Sequence, residues 1–179
     1  MATVLLNSGS DVKRPLPIVD NTGKTIVYSM LRIKLWSPEG RLPDLAAISW
    51  LIRNGQDVDL PDSAGLSPLH WAVHLGVPDI VREMMEHNAA TNHLDPCGDT
   101  PILQAIEKGH LGLVRTLATD RGTLNIASSG QGDRPLHRAV KQKKLSIANV
   151  LLSAGADPNM KDASGYTALQ YALQNNDED

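Results

Sequence analysis

His70 and His74 stand four residues apart. On a helix that spacing puts both imidazoles on one face, where a metal ion can be held. No glutamate follows His70, so the zinc-protease pattern H-E-x-x-H is absent. His87, His93, His110 and His137 complete the six histidines and fall at scattered positions. The single cysteine, Cys97, has no nearby partner that would mark it as a nucleophile. The string "DNTGKT" at 20–25 ends in Gly-Lys-Thr but lacks the upstream glycine of a phosphate-binding loop, and no G-x-S-x-G or G-x-G-x-x-G string occurs. A metal-dependent enzyme built on His70 and His74 is therefore the weakest reading, and no metal or other cofactor is expected.

A second constellation is basic. "RPLHRAVKQKK", 134–144, holds Arg134, Arg138, Lys141, Lys143 and Lys144 with no acidic residue between them. Arg138 and Lys141 are three apart and share a helix face, where an acidic peptide or a nucleic acid would find opposite charge. Against this, no aromatic interleaves the run, and the formal net charge is -3. A solvated face is the preferred reading of such a run.

These side chains must be positioned by a scaffold, and composition says which kind. The chain has 179 residues, enough for one domain with a sizeable core. It carries three Trp, three Tyr and no Phe, so the core is built from Leu, Ile, Val, Ala and Met. That palette suits helix–helix packing better than a β-sandwich. One cysteine cannot make an internal disulfide, in keeping with a reducing compartment. No apolar run approaches the roughly 20 residues needed to span a bilayer, and there is no basic segment followed by an apolar stretch at the N-terminus.

The organisation lies in a repeat. "DSAGLSPLHWAVHLG" (62–76), "DPCGDTPILQAIEKG" (95–109), "SGQGDRPLHRAVKQK" (129–143) and "DASGYTALQYALQNN" (162–176) share glycines at 65, 98, 132 and 165, spaced by 33, 34 and 33 residues. Each string opens with a turn that its glycine permits. Ser67-Pro68 and Thr100-Pro101 then start a helix, the hydroxyl capping a free N–H and proline sitting where none is required. Leu69, Ala72 and Val73 recur at helical spacing, as do Ile102, Ala105 and Ile106, and Leu136, Ala139 and Val140. Second helices follow, with apolar faces at Ile80, Val81, Met84 and Met85, at Leu113, Val114 and Leu117, and at Ile147, Val150 and Leu151. One such pair is too small to bury its own stripe; stacked pairs share a continuous core.

The strings "SPLHWA", "TPILQA", "RPLHRA" and "TALQYA", with "GADPN" at 155–159, resemble the ankyrin repeat family, whose period is about 33 residues and whose motif is T-P-L-H-x-A. The resemblance implies an all-α solenoid of stacked helix–turn–helix units with short β-turn fingers. It divides a single domain, 1–179, into a partial repeat 1–19, repeats 20–61, 62–94, 95–128 and 129–161, and a partial repeat 162–179. The 20–61 unit is nine residues too long, and the excess falls near "WSPEGRLP", 36–43. The opening "VLLNSGSDV", 4–12, matches the end of a second helix, so both terminal units read as half repeats, either caps on a complete small protein or, the favoured reading, the ends of a piece cut from a longer array. Departures from the motif predict local irregularity: Arg134 stands where a capping hydroxyl belongs, Lys143 where others have glycine, and "ATDRGTLNIASSG" (118–130) breaks the pattern.

The resemblance also implies a function, protein binding inside the cell, in cytoplasm or nucleus, as a scaffold or adaptor with no membrane and no small-molecule substrate. His70 and His137 occupy the motif position whose histidine is structural. Binding positions are those that the stack leaves free. One row follows the turn glycines: Lys24, Leu66, Asp99, Asp133 and Tyr166. The central inner-helix row is Ser29, Trp71, Gln104, Arg138 and Tyr171. The last turns add Arg32, His74, Leu75, Glu107, Lys108, Lys141 and Gln142. Trp71, beside Leu66 and Leu75, is the natural anchor for a partner protein, unless it packs along its own stack. Arg138 and Lys141 would receive an acidic segment of that partner.

Overall fold

The computed structural model describes residues 45–176. The 1–19 half repeat, the opening of the 20–61 unit, the 36–43 insertion, and the row positions Lys24, Ser29 and Arg32 lie outside the described residues. Within them the chain forms α1 (Leu45–Arg53), α2 (Pro68–Leu75), α3 (Pro78–Glu86), α4 (Pro101–Glu107), α5 (Leu111–Leu117), a 3₁₀ turn (Arg121–Asn125), α6 (Pro135–Lys141), α7 (Leu145–Ala154) and α8 (Ala168–Asn176). The inner helices α2, α4, α6 and α8 stack in chain order, as do the outer helices α1, α3, α5 and α7. Each of α2, α4 and α6 also packs on the outer helix that follows it. The fold is all-α, with an isolated antiparallel bridge between Lys161 and Thr167.

The core runs along the seam between the two layers. Leu69, Ala72 and Val73 are fully buried, as are Ile102, Ala105 and Ile106, on the faces that helical spacing predicts. The apolar core among the described residues contains no aromatic side chain. Leu169 and Leu173 occupy the register of Leu69 and Val73 yet are 64% and 58% exposed. The reason is that no outer helix follows α8 among the described residues.

Helix starts differ from unit to unit in an instructive way. Ser67 caps α2: its Oγ accepts from the His70 N–H, and His70 Nδ1 reaches back to the Ser67 N–H and hydroxyl. Gln170 does the same for Thr167, accepting from the Thr167 N–H at 2.8 Å. The two middle units each lack one half of the pair. Thr100 has Leu103 where His70 stands, and its buried hydroxyl has no partner and makes no cap bond. His137 has Arg134 where Ser67 stands, and its Nδ1 is buried without a partner. The expected Thr100 cap is thus not made, and Leu103 has no polar side chain to complete a box with it. A buried, unsatisfied hydroxyl is a cost. Thr100→Val is therefore expected to leave stability unchanged or to raise it by up to about 1 kcal/mol, whereas Ser67→Ala should lower it by about 1–2 kcal/mol. Paired urea melts check both.

The fingers are built by aspartates. Asp62 Oδ1 accepts from the N–H groups of Ala64 and Leu66 at 2.8 and 2.9 Å, Asp95 Oδ1 from Cys97 and Asp99, and Asp162 Oδ1 from Ser164 and Tyr166. The third finger is different. The Ser128 N–H donates to the Asp133 carbonyl at 2.8 Å, where the others close from Asp62 to Leu66 and from Asp95 to Asp99. Ser128, not Ser129, takes the aspartate's place, and the extra residue of the 34-residue interval lies in this finger. Ser129 instead donates its N–H to the Gly98 carbonyl at 2.9 Å, docking one finger on the next. The irregular 118–130 stretch holds the 3₁₀ turn, capped by Asp120 and burying Thr123 and Leu124. Lys143 takes a positive φ of 54°, the conformation that Gly76 (74°) and Gly109 (71°) supply elsewhere.

Candidate functional site

The inner helices carry Trp71, Gln104, Arg138 and Tyr171 at the same register, one from each stacked inner helix. Three of the four are tied to an aspartate of a finger. Trp71 Nε1 donates to Asp62 Oδ2 at 3.2 Å, and the Tyr171 hydroxyl donates to Asp162 Oδ2 at 2.6 Å. Arg138 makes a two-pronged pair with Asp99, both bonds 3.0 Å, and also meets Glu107 Oε2 at 3.3 Å and Asp133 Oδ2 at 3.5 Å. Lys141 Nζ lies 2.6 Å from Asp133 Oδ1 and 3.2 Å from Asp162 Oδ2, and 4.1 Å from the centre of the Tyr171 ring. Charges of alternating sign thus run Asp99–Arg138–Asp133–Lys141–Asp162 across the last three fingers.

This chain is largely out of water. The Asp133 and Asp162 side chains are 2% and 1% exposed, and that of Arg138 is 16% exposed. Burial alone would raise the Asp162 carboxyl. The Tyr171 hydroxyl, the Tyr166 N–H and the Lys141 ammonium together outweigh it and hold the carboxyl at about 2. Arg138 and Lys141 are held further above their ordinary values by Asp99 and Asp133 respectively, against the downward pull of burial. Two buried charges repay their desolvation only when geometry is good and every partner is present, and here each cation has at least two carboxylates.

The histidines brace fingers. His70 is fully buried; its Nδ1 meets the Ser67 hydroxyl at 2.8 Å and its Nε2 the Asp99 carbonyl at 3.1 Å. Both ring nitrogens are in use, so His70 has none to offer a metal. His137 Nε2 meets the Tyr166 carbonyl at 3.0 Å. No group of three or more potential metal ligands occurs among the described residues. Burial pushes the His70 imidazole below its ordinary value of 6.5. A depressed histidine pKa means the unfolded chain takes up the proton first, so this contribution is complete above pH 6.5 and is lost as pH falls below it. Stability measured by denaturant should therefore drop between pH 7.5 and 5.5. His70→Gln, which copies the Thr167–Gln170 box without a titrating group, should flatten that drop.

The other predicted binding residues divide. His74, Glu107, Lys108 and Tyr166 are exposed; Leu66, Trp71, Leu75, Asp99, Gln104, Arg138, Lys141 and Tyr171 are part-buried. Trp71 and His74 meet edge to face, ring centres 5.7 Å apart, close to Leu66 and Leu75 in the chain. Asp133 is a correction: expected on an exposed fingertip, it is buried, because the one-residue-longer finger turns its carboxylate in between Arg138 and Lys141. Arg138 and Lys141, expected as free cations, are likewise spent on internal carboxylates. Sequence reading passed over Asp62 and Asp162. The signal was present, since each stands nine residues before its row partner, Trp71 or Tyr171.

Comparison with known proteins agrees with this architecture. The chain is 34% identical over 125 residues to the putative palmitoyltransferase ZDHHC13 of Danio rerio, covering 69% of this chain and 19% of that protein. It is 27% identical over 192 residues to the putative ankyrin repeat protein FPV022 of fowlpox virus, covering 97% and 32%. It is 33% identical over 111 residues to the BCL-6 corepressor-like protein 1 of Homo sapiens, covering 62% and 6%. The chain therefore spans a third or less of the length of these relatives. The family model "Ankyrin repeats (3 copies)" matches at residues 41–128, 87–162 and 123–179. With that match over most of its length and two layers of helices stacked in register, the chain belongs to the ankyrin repeat family.

Proposed function

We propose that this chain is an intracellular protein-binding module, a scaffold or adaptor whose partner lies along the N-terminal half of the concave groove. Ankyrin repeats generally mediate protein–protein interaction and are non-catalytic. The likeness to a palmitoyltransferase covers 19% of that protein and falls in the repeats, so no transferase activity is carried over. Among the described residues no helix is long and apolar enough to cross a membrane. A cytoplasmic or nuclear location fits a chain with one cysteine and no disulfide.

The carrying observation is Trp71. Its indole is part-exposed, its N–H is fixed by Asp62, and its ring is braced by His74. An aromatic already held in place loses little freedom on binding, which is what favours it as an anchor. Leu66 and Leu75 would extend the apolar contact, with Gln104, Glu107 and Lys108 at its edge. The acidic-ligand reading through 134–144 is less well supported. To reach Arg138 or Lys141 such a ligand would first have to displace Asp99, Asp133 or Asp162. The test is affinity capture with quantitative readout, comparing wild type, Trp71→Ala and Lys161→Gln, each shown by thermal melt to be folded. Partners lost only with Trp71→Ala, by roughly tenfold or more, support the reading. Partners held equally by all three chains would sink it.

A further inference from the structure

The cations that cluster in sequence are already engaged. Arg134 donates to the Asn125 and Lys161 carbonyls, Arg138 and Lys141 belong to the carboxylate chain, and Lys144 donates to the Ile106 and Glu107 carbonyls. Two guanidiniums on the opposite side are not. Arg115 on α5 and Arg121 at the start of the 3₁₀ turn are exposed. Among the described residues neither side chain enters an ion pair or a hydrogen bond. The irregular turn brings both to one groove of about 790 Å³, between α5 and α7 on the outer face. Across it, α7 presents Ser146, Asn149 and Ser153, spaced three and four apart and so on one face. Among the described residues no carboxylate lines this groove. Arg115 also borders the neighbouring groove, where Glu86 and Asp120 stand, the Asp120 oxygens being held by the Thr91 hydroxyl at 2.5 Å and the Gly122 N–H at 2.9 Å.

We propose that this outer groove binds a phosphorylated serine or threonine of an extended partner peptide. Arg115 and Arg121 take the phosphate oxygens, and Ser146, Asn149 and Ser153 supply neutral hydrogen bonds around them. Two forked guanidiniums with three neutral donors offer more than one carboxylate can use. A phosphate monoester presents three acceptor oxygens and nearly two charges at neutral pH. A nucleic acid is disfavoured: two cations are few, no aromatic lines the groove, and the whole chain is acidic. The surface is separate from the concave groove, so the two readings stand or fall apart.

The experiment titrates the isotope-labelled full chain, at low salt, with a Gly/Ala-rich peptide carrying one central phosphoserine. The same peptide with serine or glutamate at that position, and inorganic phosphate alone, serve as comparisons. The expected result is a shift of the Arg115 and Arg121 side-chain N–H signals and of the Ser146 and Ser153 amides. Affinity should weaken roughly tenfold or more in the Arg115→Gln/Arg121→Gln double variant. Lys161→Gln, an exposed cation away from this groove, should change it by less than about twofold. Both arginine side chains are exposed, so the double variant should melt as the wild type does. Four outcomes would overturn the proposal: glutamate or serine peptide binding as tightly, inorganic phosphate binding as tightly as the phosphopeptide, equal loss with Lys161→Gln, or no shift in the groove.

Discussion

Asp133→Ala is expected to lower the stability of this protein by about 3 kcal/mol, more than a surface aspartate could. Removing the carboxylate leaves Arg138 and Lys141 facing each other across a site from which water is largely excluded. The usual cost of breaking a buried pair is about 3–5 kcal/mol. The lower end applies because Arg138 keeps Asp99 and Glu107, and Lys141 keeps Asp162. The measurement is urea denaturation of Asp133→Ala, Lys141→Met and the double variant. Coupling of about 1–3 kcal/mol between the two sites is expected. The loss should also change little between low and high salt, since buried pairs are poorly screened. A residue reserved for a partner would behave in the opposite way, with a loss below about 0.5 kcal/mol and no coupling to Lys141. In acid the same network should fail at its end: Asp162, at about 2 in the folded state against an ordinary 3.8, contributes stability that is present above pH 3.8 and lost as pH falls toward 2.

Gly132→Ala is expected to be comparably damaging for a different reason. Gly132 has a φ of +68°, a region that costs a residue with a Cβ about 1–2 kcal/mol. The added methyl would also stand 2.7 Å from the Ala163 backbone nitrogen and 2.8 Å from the Ala163 Cβ. Backbone cannot rotate away as a side-chain end can, so one finger must shift against the next, at a further cost of about 1–3 kcal/mol. Gly165→Ala is the control. Its φ is +82°, yet nothing lies within 4 Å of the new methyl, so only the conformational cost should appear. Thermal melts of the two variants should separate clearly; equal losses would mean that the close stacking of fingers carries no energy of its own.

Much of the fold was legible because a repeat reports the same local rules several times. The Ser67-Pro68 start, the Leu69/Ala72/Val73 face and the glycine after each turn are chemistry within a few residues of chain. Arg134 and Lys143 were readable as exceptions for the same reason, and both are exceptions in the structure. The register of the third finger was not. Ser128 and Ser129 are the same residue type, and only the hydrogen bond from Ser128 to Asp133, with Ser129 turned onto Gly98, decides between them.

The binding surface was less legible, and the physical reason is charge pairing across units. By itself the sequence determined an all-α stack, its inner and outer helices, and which residues share a row, because periodicity fixes the direction in which each side chain leaves its helix. It did not determine whether a side chain in that row faces solvent or a neighbour. Arg138 meets Asp99 across 39 positions, and Lys141 meets Asp162 across 21. Such pairs depend on the rise from one repeat to the next, which no single repeat encodes. Tertiary structure alone therefore turned a basic run and an acidic fingertip into an internal brace, and brought Arg115 and Arg121 together in an outer groove.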